Sequence, residues 1–284
     1  MSDIKEIKSI DLPSFTIIGT GIAVLFSILS SIIITVLVGI YSVESLGVIL
    51  YIIPTIIIGT LIFSIYNNFF EGYLYNILAK RINPINFILK DEKEIVKVTT
   101  TETSIMVAII LTVQTILIYL VSIFILPLLL NGVIQTLMFS GQQTLAYSLY
   151  QFLLIINQPV TVAMVIFGTF IISFVFVLLG TYIYNIIANA GRGIILNLSK
   201  ENDMTIVESV DMLKFAIAFA IVGGILSLIL TLISLVSGGA EITTAIGNIV
   251  GGFIGSFIEG ALIAVFYNFL APKLGKLKIE LIDL

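Results

Sequence analysis

Long apolar segments constrain this chain more than any other feature. Several stretches exceed the roughly 20 apolar residues that a helix needs to cross a bilayer. Charged residues make up only 11% of the sequence, against about 25% in ordinary globular chains. A chain of 284 residues with this composition is therefore not one or two soluble domains. We predict a multi-pass membrane protein whose main partner is the lipid bilayer.

Six membrane-spanning helices are predicted, with short strands between them. The helices end at about Val43, Lys80–Arg81, Leu130, Ala190, Val236 and Leu270. Residues 46–53 are apolar but short, so we interpret them as a re-entrant or interfacial entry to the second helix, with Pro54 as its kink or start. Residues 131–158 form the longest connection and are expected to hold a small amphipathic helix, either at the surface or re-entrant.

A short phrase occurs three times along the chain. Its copies are Tyr75-Asn76-Ile77-Leu78-Ala79, Tyr184-Asn185-Ile186-Ile187-Ala188 and Tyr267-Asn268-Phe269-Leu270-Ala271. A long apolar segment precedes each copy, and an alternating apolar stretch follows each at the same offset. These stretches are 85–89, 194–198 and 277–281. The same helix end, gap and strand pattern thus occur three times. This recurrence predicts three internal repeats.

Each predicted repeat reads strand, helix, helix, strand. The repeats cover residues 1–90 with the first two spans, 91–200 with the third and fourth, and 201–284 with the fifth and sixth. The opening of the third repeat, Val207 to Phe215, echoes Ile7 to Phe15 position for position. Because two spans return the chain to the same side, the repeats are parallel. The predicted fold is therefore a membrane all-α bundle with small cytoplasmic β elements and a pseudo-threefold axis along the membrane normal.

The positive charges predict the orientation. The lysines and arginines stand at 5, 8, 80, 81, 90, 93, 97, 192, 200, 214, 273, 276 and 278, all on the side of the termini and strands. The connections at 42–58, 131–158 and 237–241 carry none. By the positive-inside rule, both termini and all strands are expected in the cytoplasm and the spans in the cell membrane.

The tyrosine–asparagine pairs are the predicted structural motif. A tyrosine at the cytoplasmic end of a helix can place its ring among the headgroups with its hydroxyl in water. The asparagine amide offers both donors and an acceptor, so it can cap the helix or bridge to the neighbouring strand. We interpret the motif, which comprises Tyr75, Asn76, Tyr184, Asn185, Tyr267 and Asn268, as an architectural joint.

Glu259 is the sharpest candidate for a functional site. It precedes Tyr267 by eight residues, which places it about 12 Å deeper along the helix at 1.5 Å per residue. The equivalent positions in the other repeats are Asn67 and Phe176, and Glu71 is a second intramembrane acid. One interpretation is a proton- or cation-sensitive polar site of Glu259, Glu71 and Asn67. The other is a protonated acid that forms a hydrogen bond between helices.

Small residues mark one side of the last helix. Gly247, Gly251 and Gly255 lead to Glu259, and a neighbouring row leads to Asn268. This second row is Gly252, Ser256, Gly260 and Ala264. Such spacing predicts close helix packing, with pore lining as the alternative.

The composition argues against an enzyme. The chain has no cysteine and no histidine, which removes thiolate nucleophiles, the common zinc sites and the usual general base near neutral pH. It has no P-loop, no HExxH and no nucleophile elbow. No basic run tracks phosphates. We therefore predict no enzymatic activity, no cofactor, no metal and no nucleic-acid partner.

The Ser-Ile-Asp lead-in, the two helices, the Tyr-Asn phrase and the closing strand together resemble an uncharacterised family. Its members are small two-helix membrane proteins of bacteria and archaea that end in Tyr-Asn, two hydrophobic residues, Ala, a Gly-Gly turn and an alternating strand. The third repeat, Tyr267 to Leu281, is the best match, although Gly275-Lys276 replaces the paired glycines. The resemblance implies a fused triplicate of a two-helix unit and a membrane location, but no activity.

Two functions remain open from the sequence. The first is a structural or interaction scaffold whose strands form a cytoplasmic platform for protein partners. The second is an ion channel or transporter with a polar path near Glu259 along the pseudo-threefold axis. An intramembrane enzyme is the weakest reading because no catalytic constellation is present. The sequence does not assign an oligomeric state.

Overall fold

The computed structural model describes residues 2–41, 46–239 and 241–284. In chain order its elements are β1 (Ser2–Ile10), α1 (Leu12–Tyr41), α2 (Leu46–Leu78), β2 (Asn86–Lys90), β3 (Glu94–Val98), α3 (Thr100–Phe139), α4 (Gln143–Ile156), α5 (Pro159–Ile187), β4 (Ile194–Glu201), β5 (Met204–Val210), α6 (Met212–Val236), α7 (Ile242–Leu274) and β6 (Lys278–Asp283). A π-helical turn, Ala188–Arg192, follows α5. The order strand, helix, helix, strand thus occurs three times, with the short α4 inserted in the second round.

Six of these helices are long and apolar enough to cross a membrane; the exception within the described residues is α4. This confirms the prediction of six apolar helices and indicates a multi-pass membrane protein, in agreement with the composition.

Two helix boundaries differ from the prediction. Residues 46–53 are the first turns of α2 rather than a separate entry segment, and Pro54 lies inside that helix. Likewise α3 continues past Leu130 to Phe139 with Pro127 in its interior. Proline is a poor predictor of a helix end in a membrane helix. Other groups there bind the backbone atoms that proline leaves without hydrogen bonds, so the helix can continue. The predicted turn at 42–45 lies outside the described residues.

The chain forms two compact units. One consists of residues 1–103 and 178–284, and the other of residues 104–177. Within the second unit, Ile134 of α3 packs against Ala146 and Leu153 of α4, and the Tyr119 hydroxyl donates a hydrogen bond to the carbonyl of Ile156. The small helix expected within 131–158 is therefore present as α4, and its apolar side packs on the end of α3.

The strands of the first unit close into a six-stranded barrel in the order β1-β2-β3-β4-β5-β6. Every neighbouring pair is antiparallel, and the barrel closes where β1 pairs with β6. Short cytoplasmic strands were predicted, but their closure into a barrel was not. Closure pairs every strand on both sides and leaves no open edge.

A β-bulge interrupts the first strand of each strand–helix–helix–strand round. The bulged residues are Lys8, Val96 and Glu208, each of which the register skips. Each bulge lies where one round pairs with a neighbouring round, β1 with β6, β3 with β2 and β5 with β4. Because bulges bend a strand and increase its twist, three of them curl the sheet so that its edges meet.

Helices α1 and α2 pack together, as do α6 and α7, and α1 also contacts α7. Close approach between α6 and α7 requires glycine at Gly260, where a Cβ would lie 2.6 Å from the Cβ of Phe219. The row of small residues from Gly252 to Ala264 therefore packs against α6, as small residues do between membrane helices. A Cβ added at Gly247, Gly251 or Gly255 would meet no described atom within 4 Å. No described residue therefore packs closely against this row.

The N-termini of α1 and α6 are capped in the same way. The Asp11 carboxylate accepts a hydrogen bond from the amide of Ser14 at 2.9 Å, and the Asp211 carboxylate accepts one from the amide of Lys214 at 2.9 Å. An aspartate in this position satisfies a free amide of the first turn. The shared cap matches the sequence echo between the two strand–helix junctions.

Candidate functional site

The three tyrosines of the repeated phrase bind the strands at the helix ends. The Tyr75 hydroxyl donates to the carbonyl of Ile7 at 2.6 Å and accepts from the amide of Ile85 at 3.4 Å. The corresponding bonds join Tyr184 to Ile95 (2.6 Å) and Ile194 (3.1 Å), and Tyr267 to Val207 and Leu277 (3.3 Å). Each hydroxyl therefore bridges the two strands that flank its own helix pair.

These tyrosines differ from the expectation of a hydroxyl in water at the headgroups. Tyr75, Tyr184 and Tyr267 are 4%, 8% and 6% exposed, and both hydrogen bonds of each hydroxyl go to the backbone of the protein. A buried tyrosine hydroxyl needs such a partner. The aromatic ring thus belongs to the junction between helix and barrel.

The three asparagines each bind both backbone groups of one residue. Asn268 Nδ2 donates to the carbonyl of Val210 at 2.8 Å, and Asn268 Oδ1 accepts from the amide of Val210 at 2.9 Å. The equivalent pairs are Asn76 with Ile10 (2.8 and 2.7 Å) and Asn185 with Val98 (2.8 and 2.8 Å). In every case the partner is the last residue of a strand, where the ladder ends and backbone groups would otherwise lack partners.

We call each such pair, Tyr75-Asn76, Tyr184-Asn185 and Tyr267-Asn268, a clamp. A clamp makes four hydrogen bonds to backbone groups. What this arrangement can do chemically is position strands, because each side-chain group of the clamp is hydrogen-bonded to the backbone. Three clamps fasten the barrel to the ends of α2, α5 and α7.

The barrel interior holds both apolar and charged side chains. Phe87 and Leu89 alternate with more exposed neighbours along β2 and are 7% and 2% exposed. Their cross-strand partners on β1 are Lys5 and Asp3, which therefore share the inner face. Val207 of β5 packs with Ile18 and Tyr267 at the helix ends. Lys5 and Leu89, with Thr205 and Asp283, line a cavity of about 280 Å³, so the inner face carries charged as well as apolar side chains.

Ion pairs join the first strand to the last. Lys5 is largely buried and pairs with Asp283, and Lys8 donates to Glu280 at 2.6 Å, with the Ser9 hydroxyl donating to the same carboxylate at 2.8 Å. The hydrogen bond from Lys8 lowers the pKa of Glu280, and the hydrogen bond from Lys5 lowers the pKa of Asp283. Both carboxylates thus stay ionised at the seam where the chain termini meet.

A third carboxylate binds side chains from β4 and from the segment that precedes β6. Glu208, the bulged residue of β5, accepts from the Ser199 hydroxyl at 2.6 Å and pairs with Lys276. The hydrogen bond from Lys276 lowers the pKa of Glu208. Lys276 and Glu208 are both partly exposed, and such an ion pair contributes little to stability, so this pair specifies the register of the strands more than it stabilises them.

Glu259 lines a cavity of about 440 Å³ between the ends of α5, α6 and α7 and the base of the barrel. The remaining lining is almost entirely apolar, with Ser256 and Thr181 as further polar side chains. Ile95, Val98 and Ile194 of the barrel close the cavity on one side. Within the described residues, Glu259 has neither a hydrogen bond nor an ion pair.

Asn67 and Glu71 form a separate polar pair. Asn67 Nδ2 donates to Glu71 Oε1 at 2.7 Å along one face of α2. Neither residue lines the cavity of Glu259, so this cavity does not unite the three members of the predicted polar site. Phe176, the third equivalent position, lies in the unit of residues 104–177, and its apolar ring offers no ligand.

The described residues contain no group of three or more histidine, cysteine, aspartate or glutamate side chains that could hold a metal ion. Comparison of the chain with protein-family models, curated proteins and solved structures found no match. The clamps, the barrel and the Glu259 cavity are therefore the features on which a function has to be argued.

Sequence reasoning missed the bulges and the ion pairs at the seam. The echo between Ile7-Lys8-Ser9 and Val207-Glu208-Ser209 was a signal for the bulges, because a repeated position at a strand pairing often carries a repeated backbone feature. No local pattern marks Lys5 as an inward residue, since its burial depends on a strand nearly 280 residues away.

Proposed function

We propose that the protein is a non-enzymatic scaffold of the cell membrane that holds a closed β-barrel in the cytoplasm as an interaction platform for protein partners. Three parallel strand–helix–helix–strand repeats, arranged with pseudo-threefold symmetry, would build it. The observation that carries the proposal is the threefold clamp: the same four hydrogen bonds fasten the barrel to a helix end three times. Hydrogen bonds of this kind would hold the barrel in a fixed position relative to the helix ends, as an interaction platform requires.

The repeat interpretation rests on matching geometry. The clamps, the bulges and the element order each recur at equivalent positions, and each repeat contributes one strand pair to the barrel. A barrel that needs strands from all three repeats also explains why a two-helix unit would have to trimerise or be fused, as the resemblance to small two-helix proteins implies.

The cytoplasmic orientation rests on charge. All thirteen lysines and arginines lie in the strands, in their connections or in the helix turns beside them. Cysteines introduced at Lys93 and Asp203 should therefore resist a membrane-impermeant thiol reagent in intact cells, whereas cysteines at Ser140 and Gly239 should react. Labelling of permeabilised cells serves as the control for accessibility. The reverse pattern would place the barrel outside the cell and contradict the proposal.

The outer face of the barrel supplies the surface for a partner. Ile4, Ile282 and Leu284 are 45%, 38% and 66% exposed on or beside the seam strands, although they lie on the most charged part of the chain. Exposed apolar side chains grouped on a soluble surface mark interaction sites.

The scaffold function is tested by photo-crosslinking in living cells. A photoreactive amino acid at Ile4 should give discrete adducts heavier than the protein, because a bound partner covers this face. The matched control is Ile242, which is also exposed but stands at the first turn of α7, away from the barrel. If Ile4 and Ile242 gave the same absence of adducts, the platform function would be wrong.

A channel is the second candidate, favoured by Glu259 in its cavity. Purified protein in liposomes should nevertheless show no flux of protons or monovalent cations above empty liposomes, because the cavity of Glu259 has an almost entirely apolar lining. The Glu259→Gln variant is the matched control and should behave identically. Flux that is present in the wild type and reduced in Glu259→Gln would establish the channel instead.

A further inference from the structure

The Glu259 cavity has the dimensions of a ligand site. Its volume of about 440 Å³ falls within the range of about 300–1,000 Å³ that small-molecule pockets occupy. Residues of three helices and of the base of the barrel line it, and Gly180 and Gly223 contribute no side chains to this lining. The cavity is thus a gap left at a junction that is otherwise tightly packed through glycine on α6 and α7.

The charge of the cavity is unbalanced. Glu259 is the only acidic or basic residue in its lining, which contains no lysine or arginine. Glu259 is exposed and has no ion pair within the described residues, so a protonated amine in the cavity can reach its carboxylate and form a charge-assisted hydrogen bond. Ser256 stands one turn before Glu259 on α7, so its hydroxyl lies on the same side of the helix and can accept a further hydrogen bond.

The walls of the cavity suit a hydrocarbon chain. Phe219, Val222 and Leu226 of α6 face Ile95 and Ile194 of the barrel across it. An occupant would therefore bury apolar surface against these side chains, at about 25 cal/mol per Å², while it presents one positively charged donor to Glu259.

We propose that this cavity binds an amphiphile that carries a single protonated amine and one apolar chain. The amine pairs with the Glu259 carboxylate and donates to the Ser256 hydroxyl, and the chain lies between α6 and the base of the barrel. A free alkylamine and an aminolipid share this chemistry. The proposal does not depend on the scaffold function, since the cavity and the outer face of the barrel have no residue in common.

Binding is tested with radiolabelled dodecylamine and with a single-chain phosphoethanolamine lipid, on full-length protein in phosphatidylcholine nanodiscs with empty nanodiscs subtracted. Saturable binding of at least one probe is expected, and dodecanol or dodecanoate should compete at least tenfold more weakly than unlabelled dodecylamine. Glu259→Gln should weaken binding at least tenfold, whereas Glu71→Gln, the matched intramembrane acid, should leave it unchanged. The probe that binds identifies the source of the ligand.

A cavity-filling pair provides a second test. At Gly180 a Cβ would lie 3.6 Å from Val222 and 3.9 Å from Leu226, at ordinary contact distances, so Gly180→Leu should fold and fill the cavity. Gly168→Leu on the same helix is the control, because a Cβ there meets no described atom within 4 Å. Dodecylamine should fail to bind Gly180→Leu and should bind Gly168→Leu normally.

A photoactivatable alkylamine keeps the proposal testable if a variant misfolds. In the wild type it should label residues of α6 and the barrel base, and excess dodecylamine should protect them. Equal affinity for Glu259→Gln and wild type, equal competition by dodecanoate, or labelling confined to other sites would each overturn the proposal.

Discussion

Asn268→Ala is expected to lower the free energy of unfolding by about 2 kcal/mol or more. The substitution leaves the amide and the carbonyl of Val210 without their partner, and each buried backbone group without a hydrogen bond costs about 1–3 kcal/mol. Asn76→Ala and Asn185→Ala should give losses of similar size, because Ile10 and Val98 are bound in the same way. Denaturant-induced unfolding of the purified protein in detergent, followed by circular dichroism, measures the effect.

The matched control for this prediction is Asn248→Ala. Asn248 lies on the same helix as Asn268 but is exposed, and surface substitutions usually change stability by about 0.5 kcal/mol or less. Were Asn268→Ala no more destabilising than Asn248→Ala, the clamps would not fasten the barrel to the helices.

Leu89→Ala is expected to cost about 2–5 kcal/mol, the range for removing a buried leucine side chain from a packed core. Leu89 is 2% exposed inside the barrel, so the substitution removes apolar contacts from a packed side chain. The adjacent Ile88 points to the outer face, because successive side chains in a strand alternate. Ile88→Ala should therefore cost less than half as much in the same unfolding experiment.

This pair of substitutions also tests the register of β2. A slip of one residue would exchange the inner and outer faces of the strand. Greater destabilisation by Ile88→Ala than by Leu89→Ala would show that the register, and with it the inward position of Phe87, is wrong.

The helices were predictable because their signal is local and strong. Apolar stretches of membrane-spanning length identify themselves, although Pro54 led to a late start for α2 and the Asn131-Gly132 sequence to an early end for α3. The strand patterns after each Tyr-Asn phrase were also visible, since apolar residues alternate within a few positions. A short motif that recurs at a helix end is informative in the same way, and it led to the six residues of the clamps.

The barrel was not predictable, because its closure depends on pairing between distant parts of the chain. Nothing local in Lys5 shows that Asp283 will lie beside it, and an alternating stretch does not reveal how many neighbours it has. The separation of the Glu259 cavity from the pair of Asn67 and Glu71 was hidden from the sequence for a related reason. Depth along a helix follows from residue counting at 1.5 Å per residue, but the direction of a helix face depends on how the helices pack.

The central claim is that the first and last strands close the barrel, and disulfide formation tests it most directly. The chain has no native cysteine. Glu6 and Ile282 are cross-strand partners at the seam, and Glu6 is also the partner of Asn86 on its other side. Cysteines at 6 and 282 should therefore oxidise to a disulfide in native membranes, since paired Cα atoms lie about 4.5–5.5 Å apart.

Cysteines at 86 and 282 are the matched control. These positions lie two strands apart, at about 9.5 Å, beyond the reach of a disulfide. Mass spectrometry after proteolysis under non-reducing conditions reads out the crosslink. Closure predicts a 6–282 disulfide and no 86–282 disulfide; an 86–282 disulfide without a 6–282 disulfide would contradict it.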